Sequence, residues 1–207
     1  MTESIEAVRL VASQKDRATE VLARAFQDDP AYEHVFPDSH ERSRSLRLLC
    51  GAVVGYSLKY GTVHTTPAVR GAACWLSPGN TEVTFWRMLR TGMEFQRAVA
   101  RFRQEARHQL LDALAYKHQI HKRLMTRPHW YLWALGVAPT VQGQGIGGKL
   151  IQPVLAWSDR EGAPCYLETQ TERNVPFYQR WGFEVLSEAV VPGQALCVWS
   201  MLREPRR

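Results

Sequence analysis

The sequence predicts a mixed α/β fold, and three observations carry that prediction. Strand-like runs stand at both ends of the chain and beyond its middle: "IEAVRLV" at 5–11, "HWYLWALGV" at 129–137 and "ALCVWSML" at 195–202. Between them apolar residues recur at helical spacing, as in Leu46, Leu49, Cys50, Val53, Val54 and Leu58. A glycine-rich loop, "TVQGQGIGGKL" at 140–150, leaves one strand and opens a helix.

In order, the run 5–11 alternates like a strand, and Ser13 is placed to cap a helix reaching Phe26. "QDDPAYEHVFPD" interrupts with two prolines and clustered acids. A helix follows over 40–60, closed by Gly61. "TVHTT" and "VRGAACWLS" read as a hairpin. Residues 81–125 carry a helical pattern through Phe85, Met88, Leu89, Phe95, Val99, Phe102, Ala106, Leu110 and Leu114, enough for two or three helices. Pro128 ends that insert of about 81–127. The helix after the glycine loop runs to about Glu161 and should kink or break at Pro153. "PCYLETQ" is a strand, "VPFYQRWGF" a short helix closed by Gly182, and "EVLSEAVV" pairs with "ALCVWSML". The last residues, "REPRR", are the one stretch expected to lack order.

The 207 residues imply one domain or a domain with an insertion. Hydrophobic content of 45% with 22% charged residues is that of a water-soluble globule. The net charge of +6 is spread along the chain, and the basic stretch 87–127 also holds Glu94, Glu105 and Asp112. That distribution describes a solvated helical face, not a nucleic-acid surface, while favouring an anionic small ligand. No run approaches membrane-span length, so no membrane partner is expected. Cys50, Cys74, Cys165 and Cys197 form no C-x-x-C pair, and the N-terminus has no signal-peptide pattern; both point to a reducing, cytoplasmic setting. His118 and His121 lack a third ligand nearby and read as solvated helix residues, so no metal is expected.

Three phosphate-binding patterns overlap in the glycine loop. Gly143, Gly148 and Lys149 approach the P-loop, but Leu150 stands where its Ser or Thr metal ligand must be. Gly143, Gly145 and Gly148 fit the dinucleotide fingerprint, with Glu168 twenty residues on. Yet "APTVQ" separates the strand from the first glycine, and only about 60 residues remain for the rest of a doubly wound sheet. Gln142, Gly145 and Gly147 fit [QR]-x-x-G-x-G, a loop that swings out from the strand and returns as a helix N-terminus presenting N–H groups to a pyrophosphate. A glycine-rich turn without ligand is the alternative, and four glycines in six positions are costly for it.

Residues 130–183 resemble the GNAT superfamily of acetyl-CoA-dependent N-acetyltransferases. "LGVAP…QGQGIGGKL", "YLET" and "N…FYQRWGF" carry the likeness, which continues more diffusely through "VRLV", "AFQDDPAYEHVFPD" and the helical middle. The resemblance implies a mixed, mostly antiparallel central sheet, flanked by helices and splayed between two central strands. Acetyl-CoA would lie in the split. It implies a single acetyltransferase domain over 1–207, with the cofactor part at about 129–203 and the acceptor side at about 1–128. The partner is then a small-molecule amine and the chain a monomer or homodimer. An acetyltransferase of protein N-termini or lysines, and a non-catalytic acyl-CoA sensor, are the alternatives.

Site residues follow from the same likeness. Gln142, Gly143, Gln144, Gly145, Ile146, Gly147, Gly148 and Lys149 would hold the pyrophosphate. Leu135, Gly136 and Val137 would pair with the pantetheine arm, the Val137 N–H facing the thioester oxygen. Tyr178 matches the general acid, and Phe177 and Asn174 lie beside the cofactor; Tyr178 could equally be a core tyrosine, and Asn174 a helix cap. Glu168 is the candidate base, or else a strand-end acid paired with Arg173 or Arg180. Tyr131, Trp133, Leu135 and Val137 alternate onto one face, where Tyr131 and Trp133 would wall the acceptor or simply pack the core. Asp28, Asp29 and Tyr32 would meet a cationic amine, although acids before Pro30 are also ordinary turn residues.

Overall fold

The computed structural model describes residues 6–206. Ile5, where the expected first strand begins, Arg207 at the end of the expected loose tail, and the Met88 side chain lie outside the described residues. The chain runs β1 (Val8–Arg9), α1 (Lys15–Ala25), α2 (Pro30–Val35), α3 (Ser39–Tyr60), β2 (Gly61–Thr65) and β3 (Gly71–Leu76). Three insert helices follow, α4 (Phe85–Arg90), α5 (Glu94–Ala100) and α6 (Gln104–Leu124). The second half holds β4 (Trp130–Val137), α7 (Ile146–Glu161), β5 (Cys165–Thr169), α8 (Val175–Gln179), β6 (Glu184–Val190) and β7 (Cys197–Arg203).

The strands form one sheet in the order β1-β2-β3-β4-β5-β7-β6. All its pairings are antiparallel except β4 with β5. That parallel pairing holds only from Trp130↔Cys165 to Leu132↔Leu167. Beyond Leu132, β4 continues for five residues without β5, and this divergence is the splay. α1 and α3 cover one face of the β1–β4 half, and α7 covers the other.

Several local expectations are corrected. Ser13 caps nothing: a 3-10 turn occupies Ala12–Gln14 and α1 starts at Lys15. The broken segment holds its own helix, α2, because Asp29 accepts from the Ala31 N–H (3.0 Å) and Pro30 supplies a preset φ at the first position. Asp38 caps α3 in the same way, accepting from the Glu41 N–H at 2.7 Å. Gly61 is not a left-handed helix cap, since its φ is −168°. It is glycine because a Cβ would sit 1.9 Å from the Trp75 carbonyl oxygen across the hairpin. α7 runs through Pro153 as one helix. The carbonyl that Pro153 leaves without a partner belongs to exposed Lys149, while Leu150, Ile151, Val154 and Leu155 hold both halves against the sheet. The tail is pinned as well: Arg203 makes a bidentate pair with Asp159 (2.7 and 2.8 Å), and Asp159 also accepts from the Arg206 N–H.

Candidate active site

The glycine loop sits at the open end of the splay. Gly143 and Gly145 have φ of +77° and +78°, a region closed to most side chains. Gly148 is held by packing, because a Cβ there would lie 2.3 Å from the Trp181 ring. Gly147 has ordinary φ, and its Cβ would meet Phe177 at 3.4 Å, so the fold does not require glycine there. The first intrahelical bond of α7 runs from the Lys149 N–H to the Gly145 carbonyl, which leaves the Ile146, Gly147 and Gly148 N–H groups without helical acceptors. These groups open onto a hollow of about 590 Å³ that also touches Phe177, Asn174 and Tyr178. Gln142 donates instead to the Val137 carbonyl (3.0 Å), bracing the loop against β4. Gln144 and Lys149 are exposed and do not line the hollow.

Along β4 the backbone alternates. The Ala138 N–H donates to the Arg70 carbonyl at 2.8 Å, marking a hydrogen-bonded antiparallel pair. Val137 opposite Gly71 and Leu135 opposite Ala73 are therefore non-bonded pairs, and their N–H and C=O groups point away from β3 into the splay. Gly136 is bonded to β3, and its missing side chain lets Leu22 and Ala25 of α1 approach (2.8 and 2.9 Å from an ideal Cβ). Leu135 thus offers its N–H and C=O and Val137 its N–H, the Val137 carbonyl being taken by Gln142, and Gly136 supplies clearance.

Side-chain alternation on the same strand fails at a β-bulge. Cys74 pairs with Ala134 but Trp75 pairs with Leu132, so Trp133 is the extra residue. Tyr131 and Trp133 face the α3 side, whereas Leu135 and Val137 pack on the α7 side. The four do not share one face.

From the loop the hollow narrows to a neck of about 130 Å³ and then opens into a chamber of about 350 Å³. Phe26, Asp29, Asn174 and Tyr178 wall both the loop hollow and the neck. Phe95, Lys117, Trp133 and Glu168 wall both the neck and the chamber. Tyr178 is buried, and among the described residues nothing hydrogen-bonds its hydroxyl. Burial, reinforced by the Asp29 charge, pushes its phenol pKa up, so it remains protonated at neutral pH.

Glu168 is held by none of the arginines considered for it. Its buried side chain accepts from the Tyr131 hydroxyl at Oε2 and the Tyr166 hydroxyl at Oε1, both at 3.0 Å, with Lys117 Nζ at 3.5 Å. Burial first, then the Glu168 charge, raises both phenols above their ordinary range. Asn174 caps nothing; its Nδ2 donates to Thr169 Oγ1. The two acids before Pro30 separate: Asp28 is exposed and lines none of these hollows, while Asp29 faces inward but is bound by the α2 amide and the Thr171 hydroxyl (3.0 Å). Tyr32 lines the neck against Phe26.

The family model of the GNAT acetyltransferase family matches residues 100–183, which span α6, β4, the glycine loop, β5 and α8. An uncharacterized N-acetyltransferase of Schizosaccharomyces pombe is 27% identical over 96% of this chain and 83% of its own. What the chain is similar to is therefore the GNAT family of acetyltransferases. Among solved structures, a Corynebacterium glutamicum protein described as histone acetyltransferase HPA2 and related acetyltransferase shares the fold. It has a TM-score of 0.68, 21% identity and coverage of 98% of this chain and 97% of that one. A Drosophila melanogaster polyamine N-acetyltransferase that forms N-acetylagmatine aligns with a TM-score of 0.61 and 12% identity, covering 96% and 98%.

The insert helix α6 brings Lys117 and His121 to the candidate site, positions that the sequence pattern did not single out as such. His121 is buried, not solvated: its Nε2 lies 2.7 Å from Nε2 of His129, and its ring stacks on Tyr166. Burial lowers its pKa to about 3, so the pair is neutral at pH 7. The signal was present in the spacing. Leu110, Leu114, Lys117 and His121 lie on one helical face, so the two polar residues continue an apolar stripe. His118 is exposed at the chamber's edge. Among the described residues no cluster of His, Cys, Asp and Glu is placed to hold a metal, and no helix is long and apolar enough to cross a membrane.

Proposed function

We propose that the protein transfers an acetyl group from acetyl-CoA to the primary amine of a small molecule by direct attack. The continuous path from loop hollow through neck to chamber carries this reading, since it gives donor and acceptor separate entrances that meet beside Tyr178. The fit to the donor rests on unused amides: those opening α7 for the pyrophosphate, and those of Leu135 and Val137 for an extended arm laid as an added strand. Gly143, Gly145 and Gly147 keep that cradle free of side chains. Asn174 and Phe177 flank the arm. In this division residues of about 129–203 hold the donor, and residues of about 1–128 shape the acceptor side of a single domain.

Acetyl-CoA supplies an activated acetyl thioester. The Val137 N–H donates to the acetyl oxygen as charge builds there. Glu168 accepts the proton of the attacking amine, directly or through water, and Tyr178 gives its proton to the departing sulfur. Within the family the sequence resembles puromycin N-acetyltransferase, which makes puromycin one acceptor to include. The test is thiol release from acetyl-CoA across puromycin, monoamines, polyamines and aminoglycosides, with an N-terminal and a lysine peptide as further arms. Release with small amines and not peptides supports the reading. Binding of acetyl-CoA with no release in any arm would reduce the protein to a sensor.

A further inference from the structure

The chamber constrains the acceptor beyond its being an amine, on the basis of the acetyl-transfer reading above. Tyr56, Phe95, Leu111, Leu114 and Trp133 give it flat, apolar walls, with the Tyr56 and Trp133 rings edge to face at 5.4 Å. Its volume of about 350 Å³ suits one or two fused rings with a short side arm. Two carboxylates reach it, and both are already paired. Glu94 receives Lys15 Nζ at 2.8 and 2.9 Å, and Glu168 holds Lys117 and two phenol hydroxyls. Lys117 and His118 add positive or neutral polar groups, not negative ones. One reacting amine can be received at Glu168, where chamber and neck meet. A second cationic group would find aromatic wall and no unpaired carboxylate among the described lining residues, and burying it there is costly.

We infer that the acceptor is a monoamine carrying an uncharged aromatic body, and that polyamines and agmatine are poor acceptors. This sets the chain apart from the Drosophila structure it resembles, whose named substrates are polyamines.

The experiment compares tryptamine, tyramine and 2-phenylethylamine with putrescine, spermidine and agmatine by thiol release. The aromatic monoamines should lead in kcat/KM by about tenfold or more. Ala115→Phe, at an exposed helix position lining the chamber, should raise the aromatic amine's KM about fivefold or more and leave the acetyl-CoA KM unchanged. Lys15→Met unpairs Glu94 at the chamber wall and should shift selectivity toward putrescine. Circular dichroism confirms that each variant is folded. Wild-type preference for polyamines, an unchanged aromatic KM in Ala115→Phe, or unchanged selectivity in Lys15→Met would each overturn this inference while leaving acetyl transfer standing. If no amine releases thiol, the acetyl-transfer reading itself falls, and the substrate class with it.

Discussion

Tyr178 places a hydroxyl that no described residue binds on a ring that is otherwise buried between Phe177 and Phe183. A purely structural tyrosine would satisfy that group or do without it. Tyr178→Phe therefore removes no hydrogen bond from the fold. Its melting temperature should match the parent's, while kcat falls by about 10²–10⁴ with acetyl-CoA binding retained. A turnover close to the parent's would take Tyr178 out of the chemistry. Glu168 differs, since its carboxylate ties β4, β5 and α6 together through Tyr131, Tyr166 and Lys117. A base role and a structural role can be separated by pH. If Glu168 takes the amine proton, the kcat/KM deficit of Glu168→Gln shrinks as pH climbs toward the pKa of a primary amine, about 10. A deficit that stays constant over that climb assigns Glu168 to structure alone. Neither the two-tyrosine cradle nor Lys117 was legible locally, because their partners come from strands and helices distant in the chain.

Two elements carry the proposed function, and each is shaped by a departure from regular geometry. The β-bulge at Trp133 turns Tyr131 and Trp133 toward the chamber while Leu135 and Val137 pack toward α7. Alternation read from the sequence missed this, since a bulge arises from pairing with β3 and leaves no mark in residue spacing. The glycine loop was legible as a motif, yet its glycines serve different ends. Gly148→Ala would drive a Cβ into Trp181 and should destabilise the fold by about 1–3 kcal/mol. Gly147→Ala meets only ordinary contact with Phe177, so the protein should fold with a near-parental melting temperature. Its acetyl-CoA KM should rise, because the new methyl stands in the cradle. Unchanged KM in folded Gly147→Ala would mean that this loop is a turn and not a phosphate site. The elements themselves were largely readable, although the insert's pattern left two or three helices open where the structure has three. The caps were less so, since Asp28 beside Asp29 and Ser39 beside Asp38 offer the same capping chemistry and only backbone geometry selects among them.

At the scale of the molecule, burial of neutral histidines couples folding to pH. His64 and His121 are buried, and burial lowers their pKa values to about 4 and about 3; His129 is lowered too. The unfolded chain protonates each near 6.5, whereas the folded chain resists. Unfolding therefore takes up protons in that window, and stability falls as pH drops from about 6.5 toward the folded values while staying flat with respect to these groups above it. Each such histidine contributes up to about 1.4 kcal/mol per pH unit. The melting temperature should decline steadily from pH 7 to pH 5. His64→Leu should flatten that decline, since His64 Nδ1 is buried without a partner among the described residues. An identical slope in the variant would acquit His64.

The sequence by itself determined the order of strands and helices except for α2, the glycine loop with its pyrophosphate-type spacing, and the resemblance that made acetyl transfer the expectation. Those properties rest on short-range rules of periodicity, turn chemistry and motif spacing. The tertiary structure decided which amides are free to hold a ligand, because β3 takes the polar groups of Gly136 and leaves those of Leu135 and Val137. It decided that Asp28 stands outside, that Glu168 answers to Lys117, and that α6 closes an apolar chamber whose acids are already paired. Pairing and desolvation depend on what other segments bring to the same place, and spacing along one strand or helix does not encode that.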